Sequence, residues 1–237
     1  MQAIPGGANA KPFVTHHNAL DRDLYLRVAQ ELYIKRCLVG GFERVYELNR
    51  NFRNEGLSTQ HNPEFTMLEY NEAYLDYNEY MDLTEEMLRT VALNVNGTTK
   101  LEYEGHSIDL AIPFERLSMY EAVLMYNPKL SSADLDDDKT MAGILLSRGV
   151  EIGTNLSWGE MLMLLFEESV EDHLIQPTYV TDYPEAVSPL SRRNDEDSSL
   201  TDRFELFIAG REFANGFSEL NDAEDQATRF KLSLIHI

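Results

Sequence analysis

The 237-residue chain is expected to fold in the α+β class, as an antiparallel sheet flanked by helices. The segments come in blocks, first strands, then helices, then strands again, rather than in strict alternation. Two capping boxes, Ser118-Met119-Tyr120-Glu121 and Ser157-Trp158-Gly159-Glu160, each open an apolar run in the middle of the chain. With 43% hydrophobic residues, the chain can bury a real core.

Residues 23–28 alternate, with Leu24, Leu26 and Val28 on one face of an expected strand. Residues 30–39 read as a short helix stopped by Gly40-Gly41. Residues 43–53 have strand character through Val45, Tyr46, Leu48 and Phe52. A loop over 54–63 holds the turn formers Gly56, Ser58, Asn62 and Pro63 before strand character resumes over 64–70. Arg53 and Glu69 would therefore lie on the two arms of a long hairpin. Met81, Leu88, Val91 and Val95 recur at helical spacing up to Asn96-Gly97. The two capping boxes and a helical stretch over 140–148 mark residues 118–174 as a helical insertion. Pro177 and Pro184 bracket a short strand, and residues 203–208 and 211–220 give two more strands around Ala209-Gly210. The run 232–237, Leu-Ser-Leu-Ile-His-Ile, is read as a non-native tail, leaving residues 1–231 as one partial domain. A short native strand is the alternative.

Charge bounds the partners. Twenty Lys and Arg against 41 Asp and Glu give a net charge of −21, which argues against holding DNA or another polyanion by bulk electrostatics. Any RNA contact would have to be local or made by another domain. The single cysteine, Cys37, cannot form an internal disulfide and fits a reducing compartment. No run of about twenty apolar residues is present, and Met1 leads into Gln-Ala-Ile-Pro without basic or apolar signal-peptide regions. A cytoplasmic protein with no membrane span is the expectation.

Two strand faces mix aromatic rings with acids and amides. Period two groups Phe65, Met67, Glu69 and Asn71 on one, and Phe213, Asn215, Phe217 and Glu219 on the other. A buried carboxylate is costly unless paired, so these faces read either as a pocket floor that binds a cation or as acids paired with Arg44, Arg50 or Arg211. Arg53, beside a loop with Glu55 and His61, offers a planar fork for carboxylate or phosphate oxygens. Glu205 and Glu212 flank a two-residue bend and could converge on a hard cation such as magnesium. Other signals are discounted. Residues 134–139 lack the glycine and distal glutamate of a calcium loop, and His16-His17 point to opposite faces of an extended chain.

The run Asn49-Arg50-Asn51-Phe52-Arg53-Asn54-Glu55-Gly56, followed by His61-Asn62-Pro63-Glu64-Phe65-Thr66, resembles motif 2 of the class II aminoacyl-tRNA synthetases in its lysine-specific, bacterial form. The resemblance runs over residues 2–230 and includes Ile4-Pro5-Gly6-Gly7-Ala8, residues 188–194 and residues 215–225. It implies a synthetase-type antiparallel sheet, activation of lysine by ATP and transfer to tRNA(Lys), with magnesium and a homodimer. It further implies that Arg53 bridges the lysine carboxylate and the α-phosphate. Glu55, His61 and Asn62 would lie along ATP and Phe65 would stack on adenine. Glu205 and Glu212 would hold magnesium. Gly7 and Glu31 would receive the α-amino group, Asn215 the carboxylate, and Phe217 would line the pocket. Glu219, supported by Glu69, would meet the ε-ammonium. Asn71 stands where the family usually has tyrosine, and Ala214 where glycine is common. Only the tail of motif 1 lies at residues 1–8, and motif 3 and the anticodon barrel are not found, so the chain alone is expected to be a poor enzyme. The alternatives are a non-catalytic lysine-binding or interaction remnant and a related ligase that lysylates a protein.

Overall fold

The computed structural model describes residues 1–8, 10–59, 61–153 and 156–232. The chain divides into two compact units, Met1–Tyr74 and Leu75–Leu232.

In the first unit, β1 (Val14–His17) pairs with β2 (Arg22–Tyr25), α1 spans Glu31–Val39, and β3 (Arg44–Phe52) forms a long antiparallel hairpin with β4 (Glu64–Glu72). The strand expected over 23–28 ends at Tyr25; one further bond keeps the β1 register, and the backbone turns away at Arg27. Leu26 N–H donates to Phe13 O at 2.9 Å, and Arg27 O accepts from Phe52 N–H at 2.7 Å. Leu24 and Val28 are nevertheless both buried, with Ala29 and Ile34. Gln30 occupies the α1 N-cap without capping it. Its amide instead donates to Met67 O at 3.2 Å and accepts from Asn51 Nδ2 at 2.7 Å, tying the helix start to the hairpin. Asn51 pairs with Phe65, Glu47 with Glu69 and Val45 with Asn71, so Phe65, Met67, Glu69 and Asn71 share one face. The outward face carries Tyr46 and Leu48, 75% and 63% exposed, and the exposed Leu68.

In the second unit, α2 (Tyr77–Asn96) begins at a capping box of Asp76 and Glu79 and ends at Gly97, whose φ of 71° suits glycine. It buries Met81, Thr84 and Ala92, whereas Val91 and Val95, expected on the core face, are exposed. Val91 lies on the flank of the buried stripe, and Val95 falls in the last turn, past Ala92. A small hairpin, β5 (Lys100–Tyr103) with β6 (His106–Asp109), follows.

A four-stranded sheet orders β7 (Glu115–Ser118), β8 (Thr178–Pro184), β9 (Leu200–Ile208) and β10 (Arg211–Phe217) as β10-β9-β8-β7. β8–β9 and β9–β10 are antiparallel; β7–β8 is parallel. The expected antiparallel sheet thus carries one parallel pair at its β7 edge, since the intervening helices return the chain to the same sheet end, as a parallel crossover requires. Those helices are α3 (Met119–Tyr126), α4 (Ser132–Leu135), α5 (Asp138–Ser147) and α6 (Trp158–Ser169), within the stretch 118–174. Both expected capping boxes form, Ser118 with Glu121 and Ser157 with Glu160. Asp134 and Asp137 serve as helix-start acceptors, as expected of a helix start.

Alternation along the strands feeds two cores. Tyr179, Phe204 and Leu206 pack with Met81, Ala92, Ile108 and Phe114, while Val180, Tyr183 and Phe207 pack with α3, α5 and α6. The chain closes with α7 (Ala223–Leu232), where buried Arg229 bonds Asp225 and the carbonyls of Ser188, Pro189 and Ser191. Beyond Leu232, the expected non-native tail lies outside the described residues. No helix among the described residues is long and apolar enough to cross a membrane.

Candidate functional site

The residues singled out from sequence fall in two regions, one in each unit. In the first, Arg53 follows directly on β3. Its N–H donates to Pro63 O at 2.9 Å and its Nε to Val28 O at 3.4 Å, while the guanidinium carbon sits 5.1 Å from the Phe65 ring centre. No carboxylate pairs with Arg53 among the described residues. The ring expected to stack on adenine thus carries the arginine on one face, a cation–π contact. Across the loop, Glu55 Oε1 accepts from Lys11 N–H at 3.4 Å. His61 is held by Ser58: His61 N–H donates to Ser58 Oγ at 3.0 Å, and its Nδ1 lies 2.9 Å from the same oxygen. Asn62 is exposed.

Further along the same hairpin face, acids crowd together. Loss of solvent around Glu69, followed by the charge of Glu31, pushes its carboxyl up to about 7. Glu31 is bonded to Lys35 Nζ at 2.5 Å, and Glu47, opposite Glu69, is bonded to Arg27 at 2.6 Å. Gly7 adjoins this cluster. Its φ is +97°, and a Cβ there would lie 3.2 Å from Ala29 Cβ and 3.6 Å from Glu31 Cβ. Gly7 and Glu31, which the resemblance assigns to one amino group, are therefore neighbours. The arginines offered as structural partners are engaged elsewhere: Arg44 with Glu72 at 2.6 Å, Arg50 with Glu64, and Arg211 with Glu104 at 2.6 Å. Asn71 closes the face opposite Val45, and Tyr70 lies on the outward side opposite Tyr46.

The second region is shaped by a β-bulge. Ala209 and Gly210, with φ of 54° and 69°, make the tight hairpin turn. Glu212 then pairs with Phe207 and Ala214 with Leu206, leaving Phe213 as the extra residue. Strict alternation placed Phe213 with Asn215 and Phe217; instead Phe213 is 60% exposed and unpaired in the ladder. The bulge substitutes Glu212 for it. Directly paired residues share a face, so Glu212, Asn215 and Phe217 lie with Phe207, Glu205 and Arg203. Gly216 is required beside them, since a Cβ there would meet Phe204 Cζ at 2.5 Å.

Glu205 is nearly buried, and its Oε1 accepts from Arg203 Nη2 and from Asn215 Nδ2, the latter at 3.2 Å. Arg203 also donates to Ser188 Oγ at 2.8 Å, Val187 O at 3.1 Å and Asn215 Oδ1 at 3.3 Å, and lies 4.5 Å over the Tyr183 ring. Glu212 is exposed as a residue, yet loss of solvent at its carboxyl, then the charge of Glu205, raises it to about 7. Burial, then Glu205, also raises Glu167; burial, then Glu167 and Glu205, raises Glu171. Glu219 lies past the end of β10, in an antiparallel bridge with Ser191.

Among the described residues, no three His, Cys, Asp or Glu side chains converge to cage a metal. Glu205 and Glu212 form a mutually repelling pair beside the fully buried Tyr183, whose hydroxyl is raised well above its ordinary value by burial and then by the charge of Glu205. That donor set fits a magnesium ion, which takes one or two carboxylates together with phosphate oxygens. Sequence reasoning missed Arg203, Tyr183 and Ser188. The signal for Arg203 was present, since it stands two residues before Glu205 on the same strand face.

The family described as tRNA synthetases class II (D, K and N) matches residues 1–236. The chain belongs to this family. The class II chain is 58% identical over 236 residues to a lysine–tRNA ligase of Teredinibacter turnerae, covering 98% of this chain and 47% of that protein. It is also 58% identical to a lysine–tRNA ligase of Aeromonas hydrophila, covering 98% of this chain and 46% of that protein. It is 57% identical to the heat-inducible lysine–tRNA ligase of Escherichia coli K12, again covering 98% and 46%. The class II chain thus spans about half the length of the curated relatives it matches.

Proposed function

We propose that this class II chain carries the amino-acid-activating part of a lysine–tRNA ligase. The observation that carries the reading is an excess of acid on this face: Glu31 and Glu47 pair with Lys35 and Arg27, and Glu69 adds a third carboxylate, which suits a cationic amino acid. An aspartate or asparagine would leave those acids uncompensated.

In this reading, a lysine carboxylate oxygen attacks the α-phosphorus of ATP, the bond to pyrophosphate breaks, and lysyl-adenylate forms. A terminal ribose hydroxyl of tRNA(Lys) then attacks the acyl carbon and releases AMP. Arg53, which no acid among the described residues holds, binds the carboxylate and α-phosphate oxygens and stabilises charge developing on phosphorus. Glu55, His61 and Asn62 line the nucleotide, and Phe65 supports adenine. Gly7, its backbone open for lack of a side chain, and Glu31 receive the α-amino group. Glu69, which shares the first unit's hairpin face with Asn71, is the acid for the ε-ammonium; in the second unit the resemblance assigns Glu219 to the same group, Phe217 to the pocket wall and Asn215 to the carboxylate. Glu205 and Glu212 would hold magnesium, which would neutralise phosphate charge when bound. The complete ligase works in the cytoplasm as a homodimer.

Calorimetric titration of the chain with lysine, norleucine, aspartate and asparagine, with ATP and Mg2+ present, tests this. Lysine alone should bind, and Glu69→Gln should weaken it by about tenfold or more, the ~1.4 kcal/mol of one lost charge contact. Lysine-dependent ATP–pyrophosphate exchange, however weak, should fall further in Arg53→Ala. Binding of aspartate or asparagine in preference, or of no amino acid, would overturn the assignment.

A further inference from the structure

Arg203 has no role in the activation chemistry above, yet it is the most heavily bonded side chain beside the acid pair. It is held at both ends: Ser188 and Val187 fix it from one side, and the Tyr183 ring lies under its plane at 4.5 Å. From that position it donates to Oε1 of Glu205, the same oxygen that accepts from Asn215. One oxygen of the nearly buried Glu205 is therefore occupied twice by protein donors. A carboxylate so held can offer a cation only its other oxygen.

That constraint bears on which cation fits. Calcium takes six to eight oxygens and readily accepts a bidentate carboxylate, whereas magnesium requires a small octahedral shell and is satisfied by single oxygens. We propose that Arg203 is a specificity-determining residue for the divalent cation: by blocking bidentate chelation through Glu205, it favours magnesium over calcium at the Glu205–Glu212 pair. The inference rests on the assignment of that pair as the cation site in the preceding section. It adds a selectivity device built from Arg203, Asn215 and the segment carrying Val187 and Ser188. Lysine at this position would supply charge, but a point donor cannot bond Glu205, Ser188 and the Val187 carbonyl as a planar fork does.

The test is competition by Mg2+ and Ca2+ against Mn2+, followed by electron paramagnetic resonance on the full chain with ATP. Parent, Arg203→Gln, Arg203→Lys and Asn215→Ala are compared, with circular dichroism as a check on folding. The parent should prefer Mg2+. Arg203→Gln should shift the Ca2+-to-Mg2+ affinity ratio towards Ca2+ by about tenfold, Arg203→Lys should restore part of the preference, and Asn215→Ala should shift it in the same direction by a smaller factor. Asn215→Ala keeps the test decisive if Arg203→Gln does not fold. Equal weakening of both cations with an unchanged ratio would assign Arg203 a merely structural role and overturn the proposal. Cation binding in the parent that survives Glu212→Gln unchanged would instead overturn the assignment of the pair itself.

Discussion

Glu69 is the residue whose chemistry is most exposed to test. Its carboxyl is raised from 4.5 to about 7 in the fold, so the folded chain keeps that proton longer than the unfolded chain does. The sign follows: stability from this group is fully present below about 4.5, is lost as pH rises towards 7, and stays lost above it. The loss is at most about 3 kcal/mol. Glu69→Gln should therefore be more stable than the parent at pH 8 and similar at pH 4.5, read from urea midpoints, with lysine closing the gap only in the parent. A variant no more stable at pH 8 would show that the acid is not strained. Glu69, Arg53 and Glu205 were legible in the sequence because ordinary strand alternation and loop chemistry place them. Glu212 was legible only as a partner across the bend. Its place on the Asn215 face depends on a one-residue bulge that no period-two pattern contains, and for the same reason Phe213 was misplaced.

At the scale of elements, boundaries set by capping were read correctly. The boxes at Ser118 and Ser157, the stop at Gly97 and the turn at Ala209-Gly210 are local chemistry, visible within a few residues of sequence. The parallel pairing of β7 with β8 and the exposure of Val91 and Val95 depend on distant partners, which local pattern does not carry. β10 shows how tightly one element is fixed. Phe204 packs edge-to-face on Tyr179 at 5.3 Å and also fills the space where a Cβ of residue 216 would go. Gly216→Ala should cost about 1–3 kcal/mol by overpacking. Gly143→Ala, in the interior of α5 with open space around it, should gain about 0.5–1 kcal/mol. Denaturant midpoints of the two variants, which should move in opposite directions, check the pair.

At the scale of the whole molecule, composition foretold an acidic protein with a real core but not how that core is shared. The second unit holds two apolar clusters, whereas the first relies on a few buried apolar side chains together with the amides Gln2, Gln30 and Asn51. Alternation on β3 and β4 explains why. Their inner face is given to acids and amides, so Tyr46, Leu48 and Leu68 are left pointing outward. β3 and β4 form a sheet of only two strands, with no further strand at either edge among the described residues. The net charge of −21 opposes association of such faces and acts over a Debye length of about 10 Å at 0.1 M salt and about 3 Å at 1 M. Light scattering should show a dispersed sample at low ionic strength and growing association as salt rises, and Leu48→Lys should suppress it. The outward face of the hairpin thus ties the expected colloidal behaviour to the buffer: dispersion in dilute salt, association in concentrated salt.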